Sequence, residues 1–184
     1  MNDQASSPTA NPGAIGLFYG SSTCYTEMAA EKIQQAFGST RVDVLNNSDT
    51  PLNTAQFYFL IIIGIPTWDY GELQEDWEEI WDELDELELA GKKVALYGLG
   101  DQEGYPEWFL DAMGYLYHKL LGRGATMVGF WPNQGYEFEQ SKALTEDEAQ
   151  FVGLALDDET QFEMTDERVQ HWVAQLRTEF DLID

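Results

Sequence analysis

Basic side chains are scarce in this chain. Nine Lys plus Arg stand against 34 Asp plus Glu, for a formal net charge of −25. Such a surface repels nucleic acid and anionic membranes and steers the protein toward a basic protein partner. Cysteine is reduced to Cys24 alone, which excludes an intramolecular disulfide. Long apolar runs are missing as well: the longest, Phe57 to Ile63, falls far short of the roughly 20 residues that span a bilayer. Residues 1–14 have neither the basic nor the apolar region of a secretory signal. They read as a loose Ser-, Asn-, Pro- and Ala-rich extension ahead of one domain at 15–184. No constellation for turnover chemistry is present: Cys24 has no evident His partner, and no metal-ligand spacing occurs. His118 and His171 read as surface residues. The expectation is a cytoplasmic monomer without catalytic residues or metal ligands of its own.

What remains is ample for a core. The chain has 184 residues and is 14% aromatic, too aromatic for an acidic disordered protein. Ile15–Tyr19, Arg41–Leu45, Phe57–Ile63 and Lys93–Tyr97 read as strands, the third apolar on both faces as in a covered parallel sheet. Thr126–Trp131 and Phe151–Ala155 read as two pieces of one strand or of neighbours, separated by a polar insertion, Pro132–Gln150. Helical spacing of apolar residues predicts helices over Glu27–Phe37, Glu72–Leu84, Pro106–Leu120 and Asp166–Phe180, the last with Thr165 as cap. The alternation defines a doubly wound α/β three-layer sandwich. In such sheets ligands lie beyond the carboxyl ends of the strands, where strand order reverses.

Three loops meet there. The first, Gly20-Ser21-Ser22-Thr23-Cys24-Tyr25-Thr26, joins a strand to a helix start and offers hydroxyl donors together with free helix N–H groups. No Lys or Arg lies between Gly20 and Glu31, which excludes a triphosphate-hydrolysing loop, and three spaced glycines are absent. The choice is between a capped helix and a site for one monophosphate. The second loop places Trp68 outside any apolar periodicity, and the third sets Tyr105 after three glycines. Each ring alone could plug the core; together, facing one slot, they would clamp a flat heteroaromatic group. A phosphate at one end and a planar ring at the other describe flavin mononucleotide (FMN).

The residues Ile15-Gly16-Leu17-Phe18-Tyr19-Gly20-Ser21-Ser22-Thr23 with Thr26-Glu27, then Pro66-Thr67-Trp68, then Gly98-Leu99-Gly100-Asp101-Gln102 with Gly104-Tyr105 resemble the three FMN loops of flavodoxins. The likeness continues through Gly135-Tyr136, Phe151–Asp157 and the final helix. The insertion resembles the long-chain class, and Cys24-Tyr25 is similar to its B (flavodoxin 2) type. The resemblance implies a five-stranded parallel sheet of order 2-1-3-4-5 with the insertion in the fifth strand. It also implies that Ser21, Ser22, Thr23, Cys24, Tyr25 and Thr26 surround the phosphate. Pro66, Thr67, Trp68, Asp69 and Tyr70 would form the second flavin loop, with Trp68 and Tyr105 flanking the isoalloxazine. Backbone groups of Leu99, Gly100, Asp101 and Gln102 would meet its pyrimidine edge. Two positions depart from the pattern: Cys24 stands where most of the family has Gly, and Asp69 where Asn or a small residue is usual.

Carboxylates around the flavin would oppose an added negative charge, each by roughly 1–2 kcal/mol at ~10 Å before screening. The implied function is a low-potential one-electron carrier. It would draw on a basic NADPH-dependent flavodoxin/ferredoxin reductase, docked on the acidic Glu72–Glu88 segment, and supply acceptor redox enzymes. A second reading on the same fold is an FMN-dependent NAD(P)H:quinone reductase, which Trp68 and Tyr105 oppose by covering the ring. A third, a flavin-free receiver domain, lacks the acidic pair it needs after the first strand.

Overall fold

The computed structural model describes residues 14–20 and 24–182. Residues 1–13 of the expected extension lie outside that range. Strand β1 (Ile15–Tyr19) is followed by α1 (Cys24–Phe37) and β2 (Val42–Asn46). After a 3-10 turn, Leu52–Phe57, come β3 (Leu60–Trp68) and its short hairpin partner β4 (Glu72–Leu73). Next are α2 (Glu75–Ile80), a second 3-10 turn, Trp81–Glu86, and β5 (Lys93–Leu99). Helix α3 (Asp111–Gly122) leads to β6 (Thr126–Val128), β7 (Trp131–Pro132), β8 (Gln150–Phe151), β9 (Leu154–Leu156) and α4 (Thr165–Glu179).

The parallel sheet runs β2-β1-β3-β5, and its fifth position is shared. β6 pairs with the first half of β5, Lys93 opposite Thr126, and β9 with the second half, Leu99 opposite Leu156. The expected 2-1-3-4-5 order is therefore present, with the insertion inside the fifth strand and its ends closed by the β7–β8 pair.

Side chains alternate across a strand, so each strand feeds both faces. Ile15, Leu17, Ile62, Ala95 and Tyr97 join Ala29 and Ile33 of α1 and Val169, Trp172 and Val173 of α4. Phe18, Ile61, Ile63, Val94 and Leu96 pack with Trp77, Met113, Leu116 and Leu120 on the other face. Gly64 is required by close approach: a methyl group there would lie 2.0 Å from the ring of the fully buried Tyr97.

Among the boundaries that differ from expectation, three bear on the cleft. β3 continues through Gly64 and Pro66 to Trp68, because Ile65 and Pro66 still pair with Gly98 and Leu99 of β5. The helix expected from Glu72 begins only at Glu75. Trp68 pairs with Glu72 in a hairpin turned by Asp69 at φ 40° and Gly71 at φ 83°; after Ile80 the chain tightens to 3-10. The helix expected from Pro106 begins at Asp111, since Leu110 has φ 60°, outside helical space, and Phe109 turns into the core. Thr165 lies inside α4 rather than capping it, and its hydroxyl donates to the Asp158 carboxylate. The insertion, expected to be polar, also contributes to the core. Tyr136 and Phe138 pack against Phe109 and Phe151, and the buried Asp111 carboxylate accepts the Lys142 N–H at 2.8 Å.

Candidate functional site

Beyond the carboxyl ends of β1, β3 and β5 lies a cleft of about 260 Å³. Its first wall is the opening turn of α1, through Tyr25 and Thr26. The Tyr97 hydroxyl donates to the Thr26 carbonyl at 2.9 Å and fixes this turn on the sheet. Burial raises the Tyr97 phenol well above its ordinary pKa, so the hydroxyl remains a donor. Thr26 is fully buried, yet its Oγ1 has no hydrogen-bond partner among the described residues. Ser21, Ser22 and Thr23 lie outside those residues, and Cys24 is exposed and does not line the cleft.

Pro66, Thr67, Trp68 and Asp69 form the second wall. Continuation of β3 sets them in register, and the Thr67 hydroxyl accepts the Ala112 N–H at 3.0 Å, tying the wall to the first turn of α3. The third wall is Leu99, Gly100, Asp101 and Tyr105. Asp101 shapes this loop: Oδ1 accepts the Glu103 and Gly104 N–H groups, and its carbonyl accepts that of Tyr105. Trp68 and Tyr105 thus face one slot. The Tyr105 hydroxyl donates to Asp69 Oδ1 at 3.1 Å, and this bond to a carboxylate raises the phenol above its ordinary pKa. Tyr70, 66% exposed, stands outside the cleft with its ring edge-on to Tyr105 and Trp108.

Gln102 does not face the cleft. Its N–H and Nε2 both donate to the buried Asp157 carboxylate, at 3.0 and 2.8 Å, and its Oε1 accepts the Glu137 N–H. Asp157 also gathers Glu159 and Thr160 and so anchors the loop after β9, whose Asp158 and Glu159 complete the cleft. Sequence reasoning did not assign these two residues to the site. The available signal was their position just past a strand end at the switch edge of the sheet. Burial raises the Asp158 carboxyl above its ordinary pKa, with the Thr165 hydroxyl acting in the opposite direction. Among the described residues, every charged side chain lining the cleft is a carboxylate: Asp69, Asp101, Asp158 and Glu159.

Fold and cleft together define a doubly wound α/β protein with its binding site at the switch point. The flavodoxin family model matches residues 17–172, and the chain belongs to the flavodoxin family. It is 56% identical over 165 residues to Flavodoxin 2 of Escherichia coli strain K12, covering 90% of this chain and 95% of that protein. It is 48% identical to a flavodoxin of Synechococcus elongatus, over 91% of this chain and 98% of that protein. Among solved structures, that of Fusobacterium nucleatum flavodoxin bound to flavin mononucleotide aligns with a TM-score of 0.84 at 30% identity, over 90% of this chain and 98% of that one.

Proposed function

We propose that this chain holds one FMN in the cleft and works as a monomeric, cytoplasmic, low-potential one-electron carrier. A single observation supports this most strongly: one slot has an indole and a phenol on its walls and, among the described residues, only carboxylates for charge. The residues suit the group. The first turn of α1 presents N–H groups and the unpartnered Thr26 hydroxyl to a phosphate. Trp68 and Tyr105 take the ring system, Thr67 lies along it, and Leu99, Gly100 and Asp101 supply backbone to its polar edge.

FMN supplies the electron chemistry, and the protein sets its energy. Asp69, Asp101, Asp158 and Glu159 disfavour added negative charge, each by roughly 1–2 kcal/mol at ~10 Å before solvent screening. For one electron, ~1.4 kcal/mol is about 59 mV. Trp68 and Tyr105 keep water from the ring, which strengthens that effect. The donor we propose is a basic NADPH-dependent reductase, which would meet the exposed Glu75, Glu78, Glu79, Asp82 and Glu83 beside the Trp68 hairpin. Charge steering of this kind weakens with salt.

Purified protein is expected to carry, or take up stoichiometrically, FMN with a protein-bound flavin spectrum, and to show no quinone turnover with NAD(P)H alone. A colourless protein that refuses FMN would end this reading. Steady quinone reduction would replace it with the reductase.

A further inference from the structure

The tip of the Trp68–Glu72 hairpin carries an aromatic corner that the cleft does not use. Tyr70 meets Trp108 at 5.1 Å between ring centroids and Tyr105 at 5.9 Å, with interplanar angles of 80° and 89°. Among the described residues no large apolar side chain is more exposed than Tyr70, and Tyr105 and Trp108 are half-buried. The tip is firmly seated. Asp69 and Gly71 turn it, and a methyl group on Gly71 would lie 3.2 Å from Trp108 Cδ1 and 3.1 Å from Asp111 Oδ2.

Charge makes the corner specific. The exposed Asp69 carboxylate accepts the Tyr105 hydroxyl through Oδ1 at 3.1 Å, which leaves its second oxygen for another donor. Exposed Glu72 and Glu107 flank the corner in the chain. Elsewhere the protein covers open rings with its own scarce cations. On the neighbouring α3 flank, Lys119 lies 5.3 Å from the centre of the Trp81 ring and Lys142 5.2 Å from that of Tyr115. Among the described residues, no Lys or Arg lies over Tyr70, Tyr105 or Trp108. Open ring faces beside carboxylates attract a cation.

We infer that this corner is a docking site for an arginine side chain of a basic electron-transfer partner. A guanidinium is flat and weakly hydrated, so it stacks on a ring while its N–H fork meets a carboxylate, here Asp69. A lysine ammonium is compact and strongly hydrated, and combines the two contacts less well. Seated there, the arginine lies beside Tyr105, on the third wall of the cleft, and fixes the partner at the exposed end of the slot. The acidic α2 segment steers from a distance; the corner sets register at contact. This inference rests on the electron-carrier reading above.

The test titrates the FMN-loaded full chain with a short peptide of alternating Gly and Arg, and with its Lys counterpart of equal charge. The Arg peptide is expected to bind ~3-fold more tightly or better, and to move the ring-proton resonances of Tyr70 and Trp108. Tyr70→Leu should bring the two peptides to equal affinity, whereas Tyr70→Phe should keep the preference; neither alters net charge. Equal affinities in the wild-type chain, or a preference that survives Tyr70→Leu, would overturn the inference. Should Tyr70→Leu fail to fold, Trp108→Leu, which opens the other side of the corner, decides by the same ratio. Repeating the titration on the flavin-free chain keeps the two readings apart. Refusal of FMN with the arginine preference intact overturns the FMN reading alone, and uptake of FMN without the preference overturns the corner alone.

Discussion

The two ends of the cleft are built in opposite ways. At the α1 end, Thr26 is sealed from solvent, and Tyr97, equally buried, pins the turn to the sheet. At the other end Trp68 and Tyr105 are half-exposed, and Asp69 and Tyr70 stand in solvent. The contrast separates two tasks. Holding a tail requires preorganised donors in a dry place, where each hydrogen bond counts most. Passing an electron to another protein requires a ring edge near the surface, and setting its energy requires charges close by. The part of the affinity that depends on the phosphate should therefore reside at the buried end, and ring contact and redox tuning at the exposed one.

Trp68→Ala sharpens this division most strongly, because the indole contributes area as well as shielding. We expect a loss of about 2 kcal/mol in binding, or ~30-fold, read equally with FMN and with riboflavin, since the ring end does not sense the phosphate. A loss confined to FMN would break the comparison.

Asp69→Asn tests tuning without binding. The Tyr105 hydroxyl keeps an acceptor, but one charge beside the ring is gone. The lower of two one-electron midpoints should rise by roughly 20–40 mV, the unscreened value reduced by the exposure of Asp69. The Tyr105 phenol, held up by its bond to the Asp69 carboxylate, should fall back toward its ordinary pKa, visible in an ultraviolet titration. FMN affinity should hardly move.

The smallest effect concerns Asp158, on the cleft wall. Burial raises its pKa in the folded protein, so folding takes up protons above the ordinary value of 3.8, and the ionised form weighs against the fold at neutral pH. Asp158→Asn, which leaves an oxygen for Thr165, should raise the Tm at pH 7. The gain should shrink as pH falls toward 3.8. A gain that grew with acidity would reverse the sign of this argument.

Much of the molecule was legible before any coordinates. The apolar runs of β1, β3 and β5 and the stripes of α1 and α4 carry their periods openly, because each element buries one face or both. The site was half legible: Trp68 betrayed itself as a ring without periodicity, and Tyr105 by the three glycines that precede it. What stayed hidden did so for physical reasons. Gly64 and Pro66 suggest a loop, but Gly64 makes room for Tyr97, and Pro66 sits where the sheet ends. Tyr136 and Phe138 were lost within a polar insertion and found their partners only through Phe109 and Phe151. Asp158 and Glu159 look like two more solvated acids in a chain of net charge −25. Gln74 sits between Glu72 and Glu75, and nothing in the sequence sets its burial apart from their exposure. The family resemblance set the Gln102 backbone at the cleft, whereas its N–H and its side chain both turn to Asp157 behind the loop.

A potentiometric titration of the holoprotein under anaerobic conditions tests the central claim most directly. If the carboxylate-lined, aromatic-walled slot sets the energy of bound FMN, reduction proceeds in two well-separated one-electron waves, the second at far lower potential than free FMN. A single two-electron wave near the potential of free FMN would contradict it.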